Sequence, residues 1–467
     1  MSTRPSPATT FAVRPKRART SPSDAPPGAR SSCPSSPAPS PHWCLSWGVF
    51  AGGTEATITG ALLLGFGFGW PLVATLTLRR TRQPQRWAVV RALTMGTTGA
   101  ALVALAPGSE TLTALNWLWP PLVLALAVWM FVQVRRSVTG KARWVITPVI
   151  AVQALTSIGA TYENIALTGD ATYAAPGKLY HVGDHQLHLD CGGEGSPTVV
   201  LSNSLGGVSA GWARITHPVA EHTRVCAYDR AGQGWSDEAA SPRDGVQSAE
   251  ELHSLLAVAG EEGPYVLVGH STGGTYAMTY AARYPEQVAG LVLLDSSSPE
   301  QFTAMPAFEG QYAVMRRAYA LLPTLSRLGL SRLVPATSHL PAADAAKVEA
   351  ITSTSQGYRN QRDEVSVLPD LFTQAQALST LGDTALAVLT ASENSIGTEG
   401  WADAQDQLRR PVDQPRPPHR GVHPHRAARG RRPCSGVGPC HHRGHSPRCA
   451  AADRFPQADR RHHRHPR

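Results

Sequence analysis

Charge and cysteine are both scarce in this chain, and each shortage closes off a class of protein. Only 16% of the 467 residues are Asp, Glu, Lys or Arg. The last 59 residues lack lysine altogether yet hold fifteen arginines and three acidic residues, a net of +12. The preceding 408 carry a net of −3, so the basic balance of the chain belongs to its tail. A nucleic-acid partner would have to bind that tail alone, and none is expected. Of the seven cysteines, only Cys191 and Cys226 lie in sequence that reads as folded. Two cysteines exclude a disulfide scaffold and leave room for one bridge.

Residues 1–55 are rich in Pro, Ser, Ala and Arg and have little hydrophobic periodicity, which predicts a disordered segment. No apolar stretch follows the first basic residues closely, as a secretory signal would require. Transmembrane helices are expected within 56–165. Four uncharged apolar stretches stand at Ala56–Leu78, Ala92–Ser109, Thr111–Val134 and Val145–Tyr162. A helix needs about 20 apolar residues to cross a bilayer. Four such stretches in succession, with Trp117, Trp119 and Trp144 near their ends, predict a multi-pass anchor. Arg79, Arg80, Arg82 and Arg86 lie between the first two, and Arg135, Arg136, Lys141 and Arg143 between the last two. The loop between the second and third holds Glu110 and no basic residue. Positive loops stay in the cytoplasm, so everything after Tyr162 is expected outside, at the cell membrane.

From residue 176 the pattern changes to short β-rich runs alternating with helical ones. "KLYHVG" and "HQLHLDC" read as a strand pair joined at Gly183–Asp184. "TVVLSNS", "RVCAYD", "YVLVGHS", "LVLLDSS" and "ALAVLTAS" follow. Continuous apolar strands between helices predict an α/β fold with a mostly parallel sheet covered on both faces. Residues 299–380 are mainly helical with proline breaks and stand where a cap would sit. The expected core is therefore 176–298 and 381–408.

The sharpest motif is Gly269-His270-Ser271-Thr272-Gly273, with four apolar β-formers before it and a helical pattern after it. This is G-x-S-x-G between a strand and a helix, where a sharp turn exposes the serine hydroxyl and needs small neighbours. With it stand "YDRAGQGWSD" (228–237), carrying Asp229, Gly232, Gly234 and Ser236 in a D-x-x-G-x-G-x-S pattern, and "LSNSLGG" (201–207). On these residues the chain resembles the α/β-hydrolase family over about 176–408.

That resemblance implies Ser271 as nucleophile, with the amides of Thr272 and Leu205 as oxyanion donors. Many members have His-Gly where this chain has Asn203-Ser204. It implies a second strand antiparallel to the fourth, so that Cys191 and Cys226 meet and a disulfide joins them outside the cytosol. The triad acid falls to Asp295 at the end of the sixth strand, with Glu393 after the seventh as the alternative. His270 sits inside the turn and cannot reach round to the Ser271 hydroxyl, and His339 is in the cap. The family's base follows an eighth strand, and here the fold-like text stops at Leu408.

Residues 409–467 are dominated by Arg, His, Pro, Ala and Gly, all with GC-rich codons. Shifting the frame by one base at Arg409 permits Ala-Ala-Leu-Ser-Thr in place of residues 409–413. It permits Ser-Thr-His-Thr-Ala-Leu over Val422–Ala428. The tail therefore reads as an out-of-frame copy of the hydrolase's last strand, last helix and catalytic histidine. Zinc binding by Cys434, Cys440 and Cys449 with His441, His442 and His445 fits no regular ligand spacing. The expected protein is a membrane-anchored serine hydrolase acting on a small-molecule acyl substrate, with no metal or cofactor. The rivals are a non-catalytic binding domain, or an aminopeptidase or acyltransferase on the same scaffold.

Overall fold

The computed structural model describes residues 53–80, 85–140, 142–170, 173–333, 339–392 and 399–409. The segment before Gly53, Glu393 and the arginine-rich tail from residue 410 lie outside the described residues.

Among the described residues five helices come first: α1 (Glu55–Arg80), α2 (Trp87–Leu105), α3 (Ser109–Leu115), α4 (Trp119–Ser137) and α5 (Ala142–Asp170). Three of them, α1, α2 and α5, are long and apolar enough to cross a bilayer, and α3 with α4 makes a fourth candidate bent by 45°. The sequence predicts one continuous stretch over 111–134; the structure breaks it at Asn116–Leu118. Pro120 and Pro121 suit the first turn of a new helix and not a helix interior, which accounts for the break. α5 runs eight residues past the expected Tyr162 because its polar end finds partners. Glu163 and Asp170 pair with Arg332, and Asn164 bonds to Asn116. Phe66, Phe68, Leu93, Val145 and Leu155 leave the flanks of these helices apolar and exposed.

The seven strands among the described residues are β1 (Lys178–Val182), β2 (His185–Gly192), β3 (Val199–Ser202), β4 (Val225–Tyr228), β5 (Tyr265–His270), β6 (Val288–Leu294) and β7 (Ala385–Leu389). They form one sheet in the order β1-β2-β4-β3-β5-β6-β7. β1 and β2 are antiparallel to each other, β2 is antiparallel to β4, and all other pairs are parallel. β4 is buried at every position, as a strand covered on both faces must be. The covering helices within the sheet domain are α6 (Ala213–Ala220), α7 (Gly245–Ala259) and α8 (Thr272–Arg283). α7 starts at a capping box: Asp244 accepts from the Gln247 amide at 2.9 Å, and Gln247 accepts from the Asp244 amide at 3.2 Å. Leu252, Leu255 and Leu256 of α7 and Tyr280 of α8 pack with Leu187, Leu267 and Leu291 in the main core.

Between β6 and β7 lie α9 (Gln301–Ala304), α10 (Phe308–Arg327), a 3-10 turn at Ser331–Leu333, α11 (Ala342–Thr352) and α12 (Ser355–Ala375). Phe302, Phe308 and Phe372 stack with Tyr276, Leu368 and Leu371 to seat this cap on α8. α13 (Trp401–Arg409) packs on β7 through Ala404 and Leu408. Ala385, Ala387 and Leu389, on alternate positions of β7, are exposed.

Candidate active site

The parallel register brings the ends of four strands together. Ser202 of β3 pairs with Gly269 of β5, His270 of β5 with Leu294 of β6, and Leu294 with Leu389 of β7. The residues that follow each strand then stand side by side: Asn203–Leu205, Ser271, Asp295 and Thr390–Ala391. A sheet of this kind presents loops and ligands at the carboxyl ends of its strands.

Ser271 connects β5 directly to α8 with φ 54° and ψ −123°, a backbone conformation that L-residues rarely adopt. Its surroundings over-determine it. The Ser271 amide donates to Leu294 O at 3.2 Å. Its carbonyl accepts from the Gly274 amide at 3.1 Å, the Ser297 amide at 3.0 Å and the Ser296 hydroxyl at 3.2 Å. The glycines on either side are needed for close approach. A methyl group on Gly269 would collide with Gly274, and one on Gly273 with the carbonyls of Ser202 and Asn203. Thr272, the first residue of α8, is buried, and its hydroxyl has no partner among the described residues. Its amide is one of the unpaired donors at a helix start, where partial positive charge gathers. Among the described residues no side chain hydrogen-bonds the Ser271 hydroxyl.

On one flank of Ser271 stands Asp295, half-buried and also left-handed at φ 42°. Its amide donates to Leu389 O at 2.6 Å. Its Oδ1 accepts from Trp401 Nε1 at 3.0 Å and from the Ala391 amide at 3.1 Å. The other sequence candidate for the acid, Glu393, lies outside the described residues. His270 points out to solvent, and His339 is exposed in the cap.

The other flank is a dense polar network around Leu205. Arg230 donates to Asn203 O at 2.8 Å and Ser204 O at 3.1 Å. Its guanidinium lies 4.2 Å from the Tyr276 ring centre and pairs with Glu364 of α12 at 2.6 Å. Glu364 in turn accepts from the Gly206 amide at 2.7 Å and from Gln233 Nε2 at 2.8 Å. Burial works against the Arg230 charge; the Glu364 carboxylate more than offsets it and holds the guanidinium above its ordinary pKa. The loop carrying Leu205 is thus tied to the cap by one buried ion pair. Sequence reasoning missed this pair. Arg230 lies inside the quoted 228–237 motif, but nothing in that motif points to a partner 134 residues away.

Asp229 organises the 228–237 loop itself. It accepts from the Ser209 amide at 2.6 Å, the Ser209 hydroxyl at 2.9 Å and His188 Nδ1 at 2.8 Å. Gly234 at φ 54° lies so close that any side chain there would strike the Asp229 carboxylate. Burial lowers the His188 pKa, while the bond and charge of Asp229 raise it further, and the net shift is upward.

Cys191 and Cys226 are directly opposite each other on β2 and β4 and are joined by a disulfide. Glu261 lies beside them but is engaged by Arg224 at 2.5 Å, and two bonded sulfurs offer no thiolate to a metal.

A family model described as alpha/beta hydrolase fold matches residues 197–360. An uncharacterised protein of Schizosaccharomyces pombe is 28% identical over 276 residues, covering 52% of this chain and 50% of that protein. A putative carbamate hydrolase, RutD, of Azorhizobium caulinodans is 33% identical over 115 residues, covering 25% of this chain and 43% of that one. A 2-hydroxy-6-oxononadienedioate/2-hydroxy-6-oxononatrienedioate hydrolase of Paraburkholderia xenovorans is 34% identical over 133 residues, covering 27% and 45%. The chain matches half or less of the length of each of these relatives.

Proposed function

Since this chain belongs to the α/β-hydrolase family, we propose that it is a membrane-anchored serine hydrolase whose catalytic domain faces outward. Ser271 attacks an ester-type carbonyl and forms an acyl-enzyme, which water then hydrolyses. The amides of Thr272 and Leu205 bind the developing oxyanion; each such donor contributes about 3–4 kcal/mol to the transition state. Asp295 orients the base. The base itself is the histidine encoded in the shifted frame after codon 409. The observation that carries this reading is the strained turn at Ser271, a conformation a structural serine has no need of.

The anchor is α1, α2, α4 and α5. Arg79, Arg86, Arg135, Arg136 and Arg143 lie at one end of these helices, and the residues that meet the cap lie at the other. The arginine-rich end is cytoplasmic. A disulfide between Cys191 and Cys226 accords with an oxidising exterior for the hydrolase domain. The carbamate hydrolase and the dienedioate hydrolase among the relatives support hydrolytic chemistry in general, and the acyl substrate rests on the serine.

A non-catalytic binding domain is the second reading, favoured by the absence of any described side chain bonded to the Ser271 hydroxyl. A fluorophosphonate probe separates the two. The full chain as written should label slowly or not at all, and a version with the frame restored at codon 409 should label at Ser271. Equal labelling of both would sink the shifted-frame argument; no labelling of either would favour the binding domain.

A further inference from the structure

The cap helix α10 carries apolar residues on its exposed side as well as on the side packed into the cap. Its exposed stripe runs through Val314, Ala318 and Leu325, with Leu321 and Leu322 half-buried between them. Leu330 and Leu333 continue the stripe beyond the helix. Val314 is 65% exposed and Leu333 74%. A solvent-facing stripe on a cap is ordinarily polar, and a contiguous apolar one marks a contact surface.

The contacts beside the stripe show what it meets. Thr324 bonds to Thr59 of α1 at 2.7 Å. Arg327 pairs with Glu55, and Arg332 with Glu163 at 2.8 Å and with Asp170. The backbones of Gly159 in α5 and Leu328–Gly329 touch so closely that a methyl group on either glycine would strike the other's chain. Depth follows from helix rise. Gly159 is sixteen residues above Arg143, about 24 Å, and Thr59 twenty residues from Arg79, about 30 Å, against about 30 Å of bilayer hydrocarbon. Both contact points therefore fall at or just inside the outer boundary of the apolar layer. The charged pairs stand one to three turns higher, level with the headgroups, and each of those charges has its partner.

We propose that the corner formed by the end of α10 and the turn at Ser331–Leu333 is a lipid-facing foot, seated among the outer-leaflet acyl chains beside α1 and α5. Leu325, Leu330 and Leu333 are the side chains in lipid, and the stripe through Ala318 to Val314 rises from them. The cap is then fixed to the membrane on its apolar side, and the polar clamps Arg327–Glu55 and Arg332–Glu163 hold it at that height. This rests on the membrane reading of α1 and α5 given above.

The test is photocrosslinking of the full chain in phosphatidylcholine vesicles containing tritiated phosphatidylcholine. p-Benzoylphenylalanine replaces one residue at a time: Leu330, Leu333, Phe68 or Val258. Phe68 lies mid-span on α1 and Val258 lies at the end of α7 away from the cap; both are exposed. For a foot that enters the leaflet, lipid adducts at Leu330 and Leu333 should approach the yield at Phe68 and exceed Val258 about fivefold, as for an apolar face sunk about 5–10 Å. Adducts at Phe68 with only Val258-level yield at Leu330 and Leu333 overturn the foot and leave the anchor intact. No adduct at Phe68 overturns the anchor and the foot with it. Crosslinks from Leu333 to a second copy of the chain, in place of lipid, also overturn the proposal.

Discussion

The two flanks of Ser271 are built in opposite ways. On the side of β3 and β4 the charged groups of the loops are engaged: Asp229 with Ser209 and His188, Arg230 with Glu364 and two carbonyls, Glu364 with Gly206. On the side of β6 and β7, Asp295 is held by Trp401 and Ala391, and β7 is the last strand of the sheet among the described residues, with one face exposed. One flank is rigid because its buried charges permit no other arrangement. The other, among the described residues, ends at an edge strand with α13 packed on it.

The largest test completes the weak flank. An apolar edge strand is a template for aggregation, and restoring an eighth strand and final helix would cover a few hundred Å². That burial is worth about 5–10 kcal/mol, comparable to the whole stability of a domain. The chain as written is expected to aggregate or melt broadly in detergent, and the frame-restored chain to show one sharp thermal transition. A sharp transition for the chain as written would mean that its own tail completes the fold.

Next in size is Asp295, the proposed triad acid. In the frame-restored chain, Asp295→Asn should keep both hydrogen bonds from Ala391 and Trp401, so thermal stability should change by less than about 1 kcal/mol. Ester hydrolysis should fall about 10³–10⁴-fold, because the base loses its orienting charge. Activity that survives Asp295→Asn would pass the role to Glu393.

On the rigid flank, Arg230→Met should destabilise by about 3–5 kcal/mol by leaving the buried Glu364 carboxylate without its cation. Chemical denaturation of Arg230→Met and of the Arg230→Met, Glu364→Leu pair measures this. The double variant should regain part of the loss. A single variant as stable as the parent would show that the flank is not held by this pair.

The smallest effect is in pH. The His188 pKa is raised in the fold, so its contribution to stability is complete below the unfolded value of about 6.5 and is lost as pH rises through the folded value. Melting temperature should therefore slope downward above neutrality, and His188→Gln should flatten that slope. A slope of the same size in His188→Gln would assign the titration to another group.

Much of this molecule was legible in its residues, for local reasons. Short continuous apolar runs rich in β-branched residues and bounded by turn signals fit strands buried on both faces, so β3 to β6 were readable from "TVVL", "VCAY", "YVLVGH" and "LVLL". The turn at Ser271 was readable because Gly269 and Gly273 leave the room the backbone needs. The apolar stretches before residue 170 are long enough to stand out, although apolar run length alone does not show the break before Pro120 and Pro121. The facing of Cys191 and Cys226 came only through the resemblance to a family, since cysteine spacing carries no strand register.

By itself, then, the sequence determined what depends on neighbours along the chain: apolar run length, the serine turn, the charge split between body and tail. Tertiary structure alone decided what depends on residues far apart being desolvated together. Glu364 reaches Arg230 across 134 positions, and Arg327 reaches Glu55 across 272. A charge on a helix reads as solvated until another element buries it, and no pattern in the residues marks which charge that will be. The same holds for the apolar stripe of α10. Its period was in the sequence, but that it faces outward beside α1 and α5 was settled by the packing of the cap.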